Sequence, residues 1–388
     1  MENIKESFDI VVKTFYGLES VLTKELEEMD VKNVVVKNRA VQFKGNNYLL
    51  YKLNYNLRTA ISVLKPIFEF TAQNEDSLYQ QIYNFDWSVF LDVKRTFAIE
   101  NAVNSTIFKH SQFAALKVKD AIVDQFRDRT GKRPFVDTEN PDLLINLYIA
   151  EDKCIISLNS SGEPLFKRGY RTQTDIAPLN EVLAAGLIKL SGWEGKTNII
   201  DPMCGSGTIP IEAALMAYHV PPGIFRNQFG FEKWNDFEQS LFDDVIDDVI
   251  DTKDFAYQII GSDVSVKAVN ITKANIKNAS LTSRIHVINS SFEDLEPSFD
   301  SGLIIMNPPY GERIKEDGLF ELYKNIGDTL KKKYSGYECW IFSCNLDAIY
   351  NIHLHPPRRI TLFNGALEGK YQCYRMYKGI KEIMTGTN

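Results

Sequence analysis

The four residues Asn307-Pro308-Pro309-Tyr310 follow an apolar run, Leu303-Ile304-Ile305-Met306, that reads as a buried strand. Neither proline can donate to a sheet and each fixes φ, so the strand must end and the backbone beyond it is stiff. The carboxyl ends of strands are where open α/β sheets hold their ligands. An amide oxygen, two rigid carbonyls and an aromatic face would meet there. Such a set can grip a planar group that carries an exocyclic amine. The Asn307 oxygen and the Pro308 carbonyl accept its two hydrogens, and the Tyr310 ring stacks on its plane. Asn307, Pro308 and Tyr310 are therefore the candidate catalytic residues. Taken alone, these four letters also suit an ordinary strand-ending turn.

A second motif lies upstream. Asn198-Ile199-Ile200-Asp201-Pro202-Met203-Cys204-Gly205-Ser206-Gly207-Thr208 reads as a short strand, a tight glycine turn and a helix from Ile209 to Tyr218. Gly205 and Gly207 allow the turn without Cβ clashes and let a ligand approach the backbone. No Gly-Lys-Ser/Thr follows to hold a triphosphate, and the third glycine of the dinucleotide fingerprint is missing. The next strand candidate, Tyr257 to Asp263, ends in an acid. That carboxylate either accepts both ribose hydroxyls of a nucleoside or caps the helix Ser265 to Ala279. The usual spacing from glycine turn to acid is about 20 residues. It is far longer here, so residues 219–255 must be an insertion in the first crossover.

The elements that would position these groups follow from the same patterns. From Lys167 to Cys344 strands and helices alternate, as in a doubly wound sheet. Arg358 to Phe363 and Lys370 to Tyr377 flank Asn364-Gly365, a hairpin signal. The first 60 residues mix three short strands with a helix from Leu18 to Met29, suggesting a small ferredoxin-like α+β subdomain. Residues 61–165 hold a strand at Thr96 to Glu100, a helix at Ser111 to Arg129, and strands at Leu143 to Ile149 and Lys153 to Leu158. The segment Ser111 to Asp120 is expected to turn its apolar side chains inward. The division predicted is thus 1–60, 61–165 and 166–388.

Glycine turn, acid, then Asn-Pro-Pro-Tyr is the motif order of the Rossmann-like S-adenosylmethionine-dependent methyltransferases that act on exocyclic or amide nitrogen, and the chain resembles them. Lys167-Arg168-Gly169-Tyr170-Arg171, Ala177-Pro178-Leu179-Asn180-Glu181 and Asn307 through Arg313 narrow the likeness. They resemble the bacterial THUMP-domain methyltransferases that make N2-methylguanosine in 23S ribosomal RNA, over essentially the whole chain. The resemblance implies a Rossmann-like domain with a mixed seven-stranded sheet and terminal hairpin, preceded by ferredoxin-like and THUMP regions that bind RNA. It implies S-adenosyl-L-methionine as cofactor, held by Asp201, Met203, Cys204, Gly205, Ser206, Gly207, Asp263, Val264, Ser291, Phe292 and Asn307. The family usually has an acid where Ser291 stands, so adenine recognition passes here to the serine hydroxyl or to Asp294. Transfer RNA guanosine, DNA adenine N6 and a protein glutamine are the alternative targets of the same tetrapeptide chemistry.

Composition sets the remaining limits. The chain has 388 residues, a net charge of -7 and 44% apolar residues. No apolar run approaches 18 residues, so no membrane span is expected. Met1 to Asp9 lacks an apolar core, and the five cysteines are dispersed and odd in number. A cytoplasmic protein with reduced thiols, no secretory leader and no metal site is expected. Charge is uneven. Residues 229–254 hold nine acids and two lysines, whereas residues 109–133 hold seven bases and three acids. The latter is either a solvated face or a phosphate-binding one. On the second reading Lys109, Lys117, Lys119, Arg129, Lys132 and Arg133, with Arg313 beside the catalytic motif, contact RNA.

Overall fold

The computed structural model describes residues 7–174, 178–248, 254–297, 299–311 and 316–377. The chain divides into two compact units. Residues 1–14, 25–165 and 226–248 form the first, and residues 15–24, 166–225 and 249–388 the second.

The first unit is built on β1 (Phe8–Lys13), α1 (Glu19–Glu28, whose residues up to Lys24 group with the second unit), β2 (Val35–Lys37), β3 (Ala40–Gly45), α2 (Asn47–Asn56) and β4 (Ser62–Thr71). It continues through α3 (Glu75–Asn84), β5 (Thr96–Asn104), α4 (Ser111–Thr130), β6 (Phe135–Val136), β7 (Leu143–Ala150) and β8 (Lys153–Asn159). Its eight strands run in the order β2-β3-β1-β4-β8-β7-β5-β6. Strand β4 spans the join. Its start pairs with β1 and the stretch from Leu64 to Thr71 with β8, with a register shift between Pro66 and Phe68. One continuous sheet therefore carries both the ferredoxin-like segment and the segment that follows it.

Helix α4 differs from expectation on one face. Ala114, Val118 and Ile122 form the buried stripe at four-residue spacing. Phe113 and Leu116 lie off it, 46% and 48% exposed, so the apolar side chains of this helix do not all turn inward.

The second unit begins with α5 (Glu181–Leu190), β9 (Ile199–Asp201) and α6 (Thr208–Ala217). After α6 the chain enters the acidic insertion, whose helix α7 (Gln239–Asp247) belongs to the first unit. There Phe231 stacks on Tyr51 of α2 with centroids 4.2 Å apart, and Phe242 meets Tyr55 edge-on at 6.0 Å. Asp248 accepts from Lys52 at 2.7 Å and Asp236 from Lys65 at 3.1 Å. Part of the surplus acid thus answers bases of its own unit.

The second unit resumes with β10 (Ile259–Asp263), α8 (Val266–Asn278), β11 (His286–Asn289), β12 (Leu303–Met306) and α9 (Glu316–Lys333). It closes with β13 (Glu338–Ser343), α10 (Leu346–Tyr350), β14 (Arg358–Asn364) and β15 (Leu367–Arg375). The strand order is β11-β10-β9-β12-β13-β15-β14, seven strands as the resemblance implied. The first five are parallel, and β15 runs antiparallel to both β13 and β14. The winding reverses at β9, which lies between β10 and β12, so a crevice opens beyond the carboxyl ends of these three strands. All four residues of β12 are buried, consistent with a strand covered on both faces.

Candidate active site

Strand β9 ends at Asp201, which is 3% exposed and accepts the Met203 N–H at 3.2 Å. Burial pushes its carboxyl well above the ordinary range. The chain then turns through Gly205 (φ 55°) and Gly207 (φ 83°), a left-handed geometry costly to other residues. Helix α8 holds the turn from behind. Thr272 donates to the Gly205 carbonyl at 2.8 Å, and Asn275 to the Ser206 carbonyl at 3.0 Å. Gly207 is the N-cap of α6, so free backbone N–H groups and the positive end of that helix face the crevice.

Asp263 closes β10. One carboxylate oxygen accepts the Gly205 N–H at 3.0 Å and the other the Ser265 N–H at 2.9 Å. The cap of α8 is Ser265, whose hydroxyl accepts the Ala268 N–H. Asp263 therefore does not cap the helix; it ties the glycine turn to β10 and retains further lone pairs for a ligand diol. Val264 beside it is 72% exposed. Ser291 donates to Asp294 at 2.7 Å and accepts the Asp294 N–H at 3.1 Å, so both groups are engaged in a local turn. Phe292 is 1% exposed and stacks on Tyr334 at 5.1 Å.

The loop after β12 is anchored at two of its carbonyls. Tyr323 donates to the Pro309 carbonyl at 3.3 Å, and the Asn345 amide to the Tyr310 carbonyl at 3.0 Å. The Pro308 carbonyl receives no hydrogen bond among the described residues. The Asn307 amide oxygen is not idle: it accepts the Tyr310 hydroxyl. Tyr310 also meets Phe342 edge-on at 6.3 Å, and burial raises its hydroxyl pKa far above the ordinary value.

These parts face one cavity of about 600 Å³, lined by Asp201, Met203 to Ser206, Asp263, Val264, Ser291, Phe292 and Asn307 to Tyr310. Gly207 alone of the expected cofactor residues does not line it and lies against Thr272. Thr208, Ile209, Glu293 and Leu322 line it as well, as do Pro178, Leu179, Asn364 and Leu367. Pro178 and Leu179 fall inside a motif already singled out. The hairpin pair Asn364 and Leu367 carried no signal beyond a turn.

In the segment before α5, Arg168 to Arg171 form a strap in which Arg168 and Tyr170 are buried. Glu212 of α6, fully buried, accepts Tyr170 at 3.0 Å and pairs with Arg168 at 3.5 Å. Arg171 donates to the Leu179 carbonyl at 2.8 Å and Thr208 at 2.9 Å and pairs with Glu181 at 3.2 Å. It thereby joins the cavity wall at Leu179 to the first turn of α6. Burial pushes the Glu181 carboxyl up to about 7 although Arg171 pulls the other way.

The basic candidates belong to the first unit. Lys119 pairs with Asp120 at 2.6 Å and Arg129 with Asp86 at 2.6 Å. Lys109, Lys117, Lys132 and Arg133 have no carboxylate partner among the described residues, and Lys117 lies over the exposed Phe113 ring at 5.5 Å. Arg313 lies outside the described residues. No helix among those described is long and apolar enough to cross a membrane.

The donor set fits a nucleoside joined to an amino acid. Asp263 offers acceptors for a ribose diol, the start of α6 suits a carboxylate, and a Cβ added to Gly205 would meet no atom within 4 Å, so the space above the turn is open. A parallel sheet with this crevice, an antiparallel final hairpin and an Asn-Pro-Pro-Tyr rim define an S-adenosylmethionine-dependent methyltransferase. The family profile described as "RMKL-like, methyltransferase domain" matches residues 168–372. A THUMP domain matches residues 72–159 and an RlmL ferredoxin-like domain residues 9–64. The chain belongs to the RMKL-like methyltransferase family.

It is 36% identical to "Putative RNA methyltransferase slr0064" of Synechocystis, over 93% of this chain and 95% of that protein. It is 34% identical to "Ribosomal RNA large subunit methyltransferase K/L" of Shewanella frigidimarina over 93% of this chain, spanning 52% of that longer protein. In structure it is similar to SMU.472, "a putative methyltransferase complexed with SAH", with a TM-score of 0.85 and 27% identity. That likeness covers 97% of this chain and all of SMU.472.

Proposed function

We propose that the protein methylates the exocyclic N2 of a guanosine in 23S ribosomal RNA. The observation that carries this reading is the pair of acceptors at the cavity rim: the Pro308 carbonyl, which receives no hydrogen bond among the described residues, and the Asn307 amide oxygen, both lining the cavity that the glycine turn also lines. The relatives named for RNA and ribosomal RNA support the substrate class, as does the THUMP match. Bound S-adenosylmethionine supplies an electrophilic sulfonium methyl.

The remaining work falls to the chain. An arylamine lone pair is delocalised into its ring, so the amine is a poor nucleophile. Accepting both hydrogens at Asn307 and Pro308 returns electron density to nitrogen and favours the positive charge that develops on it. To reach Asn307 the amine takes the place of the Tyr310 hydroxyl, which frees the tyrosine ring to lie on the base. The anchored Pro309 and Tyr310 carbonyls keep the loop stiff, and positioning of this kind supplies ~7–11 kcal/mol in favourable cases. No general base is required, because the proton can leave after transfer. A paired guanine hides its N2, so the target is unpaired or flipped out.

The test is mass spectrometry of ribosomal RNA, transfer RNA and DNA nucleosides from a strain lacking this protein, with the wild-type chain or Asn307→Ala restored. Loss of N2-methylguanosine from 23S RNA, regained only with the wild-type chain, supports the reading. Unchanged 23S RNA, with the loss falling on tRNA guanosine or DNA adenine, overturns it.

A further inference from the structure

We infer that Asn364, at the tip of the β14–β15 hairpin, is a specificity-determining residue that reads the N1–H and O6 edge of the target guanine; this rests on the guanine-N2 reading above. The hairpin tip lines the same cavity as Asn307 and Tyr310 although it lies more than fifty residues further along the chain. Cys344 makes the link between them. Its thiol donates to the Leu367 carbonyl at 3.9 Å, and the same side chain lies close to the Tyr310 hydroxyl and the Asn364 backbone. The base-gripping loop and the hairpin tip thus meet at one side chain.

Asn364 is half-buried, and its carboxamide makes no hydrogen bond among the described residues. Its neighbours differ in this. Asn345 is committed at both ends of its side chain, to Ala348 and to Tyr310. Beside Asn364, Leu367 lines the cavity yet is 52% exposed. A pendant amide next to an uncovered leucine suits a flat ring with polar groups along one edge.

The chemistry left over by the transfer geometry matches. Once Asn307 and Pro308 hold N2, the guanine edge still presents N1–H, a donor, and O6, an acceptor. A carboxamide offers one acceptor and one donor side by side and meets both. An adenine held by N6 presents no such donor–acceptor pair in that place. Discrimination from a good bidentate amide contact corresponds to roughly 5- to 150-fold in rate or affinity.

The experiment uses the full chain and a short RNA carrying the target position as guanine or as 2-aminopurine. The latter keeps the N2 amine but lacks both N1–H and O6. Wild type is expected to favour guanine in kcat/KM by at least about fivefold. Asn364→Ala should bring the ratio close to one through loss on guanine alone. Because each ratio is taken within one preparation, a loss of folded protein cancels. A ratio in Asn364→Ala equal to wild type overturns the inference and leaves the N2 reading standing. Absence of N2 methylation on either base by wild type overturns both.

Discussion

Alanine at Gly205 and at Gly207 should separate a ligand effect from a folding effect within one turn. Both glycines have positive φ, so either alanine carries a left-handed cost of roughly 1–2 kcal/mol. Their surroundings differ. A Cβ at Gly205 meets no atom within 4 Å and enters the cavity the residue lines. A Cβ at Gly207 meets the Thr272 methyl at 2.8 Å, and that threonine holds the Gly205 carbonyl. Overpacking of that kind adds ~1–3 kcal/mol. Gly205→Ala should therefore lower Tm by only a few degrees, about 2–4 °C per kcal/mol in a unit of this size. If the methyl meets bound cofactor with a similar overpacking cost, affinity falls about 5- to 150-fold. Gly207→Ala should lose more stability and weaken binding through distortion. The assay is calorimetric titration with S-adenosylhomocysteine beside thermal unfolding of the free protein. Undiminished affinity in a folded Gly205→Ala protein would show that the turn does not lie under the ligand.

Other consequences can be checked as directly. The Glu181 carboxyl sits near 7 in the fold against an ordinary 4.5, so the folded state binds its proton more tightly than the unfolded chain. Its contribution is full below about 4.5 and is lost as pH rises through about 7, on the order of 3 kcal/mol. Arg171→Gln removes the compensating charge, so its deficit in urea unfolding should be larger at pH 8 than at pH 5.5; equal deficits would discredit the strap. Gly169→Ala should be among the most damaging single changes, because its Cβ would lie 2.1 Å from the Phe225 carbonyl oxygen at φ 112°. A loss of at least ~3 kcal/mol is expected, and a soluble variant with wild-type Tm would contradict the geometry. Alanine at Lys117, Lys132 and Arg133 should weaken RNA binding and reduce the salt slope by about 0.7 for each single-strand phosphate no longer neutralised. An unchanged slope in fluorescence anisotropy places the RNA elsewhere.

The second unit was largely legible because its strands are short, apolar and closed by glycine, acid or proline, which mark their ends sharply. Asp201, Asp263 and Met306 each stand at such an end, and that is why the residues after them converge. The first unit was less so. Strand β4 runs ten residues through Pro66, a residue that argues against a sheet interior, so its role in uniting the two leading segments was hidden. Phe113 and Leu116 share a helix with well-buried neighbours, and only the register of that helix against its partners decides which apolar residues stay outside. The place of Asn364 in the cavity depends on β15 pairing with β13, a long-range fact with no local trace. Likewise Tyr310 could be read as a stacking ring from its type, while its bond to Asn307 needed the loop's conformation.

The excursion between α6 and β10 has a practical corollary for anyone cutting the gene. Residues 226–248 supply Phe231 and Phe242 to the aromatic cluster around Tyr51 and Tyr55. A fragment ending at Leu165 would leave those tyrosines bare to solvent, prone to self-association and a poor proxy for the first unit. A faithful truncation must instead splice the excursion back on through a linker, since the polypeptide visits each half more than once.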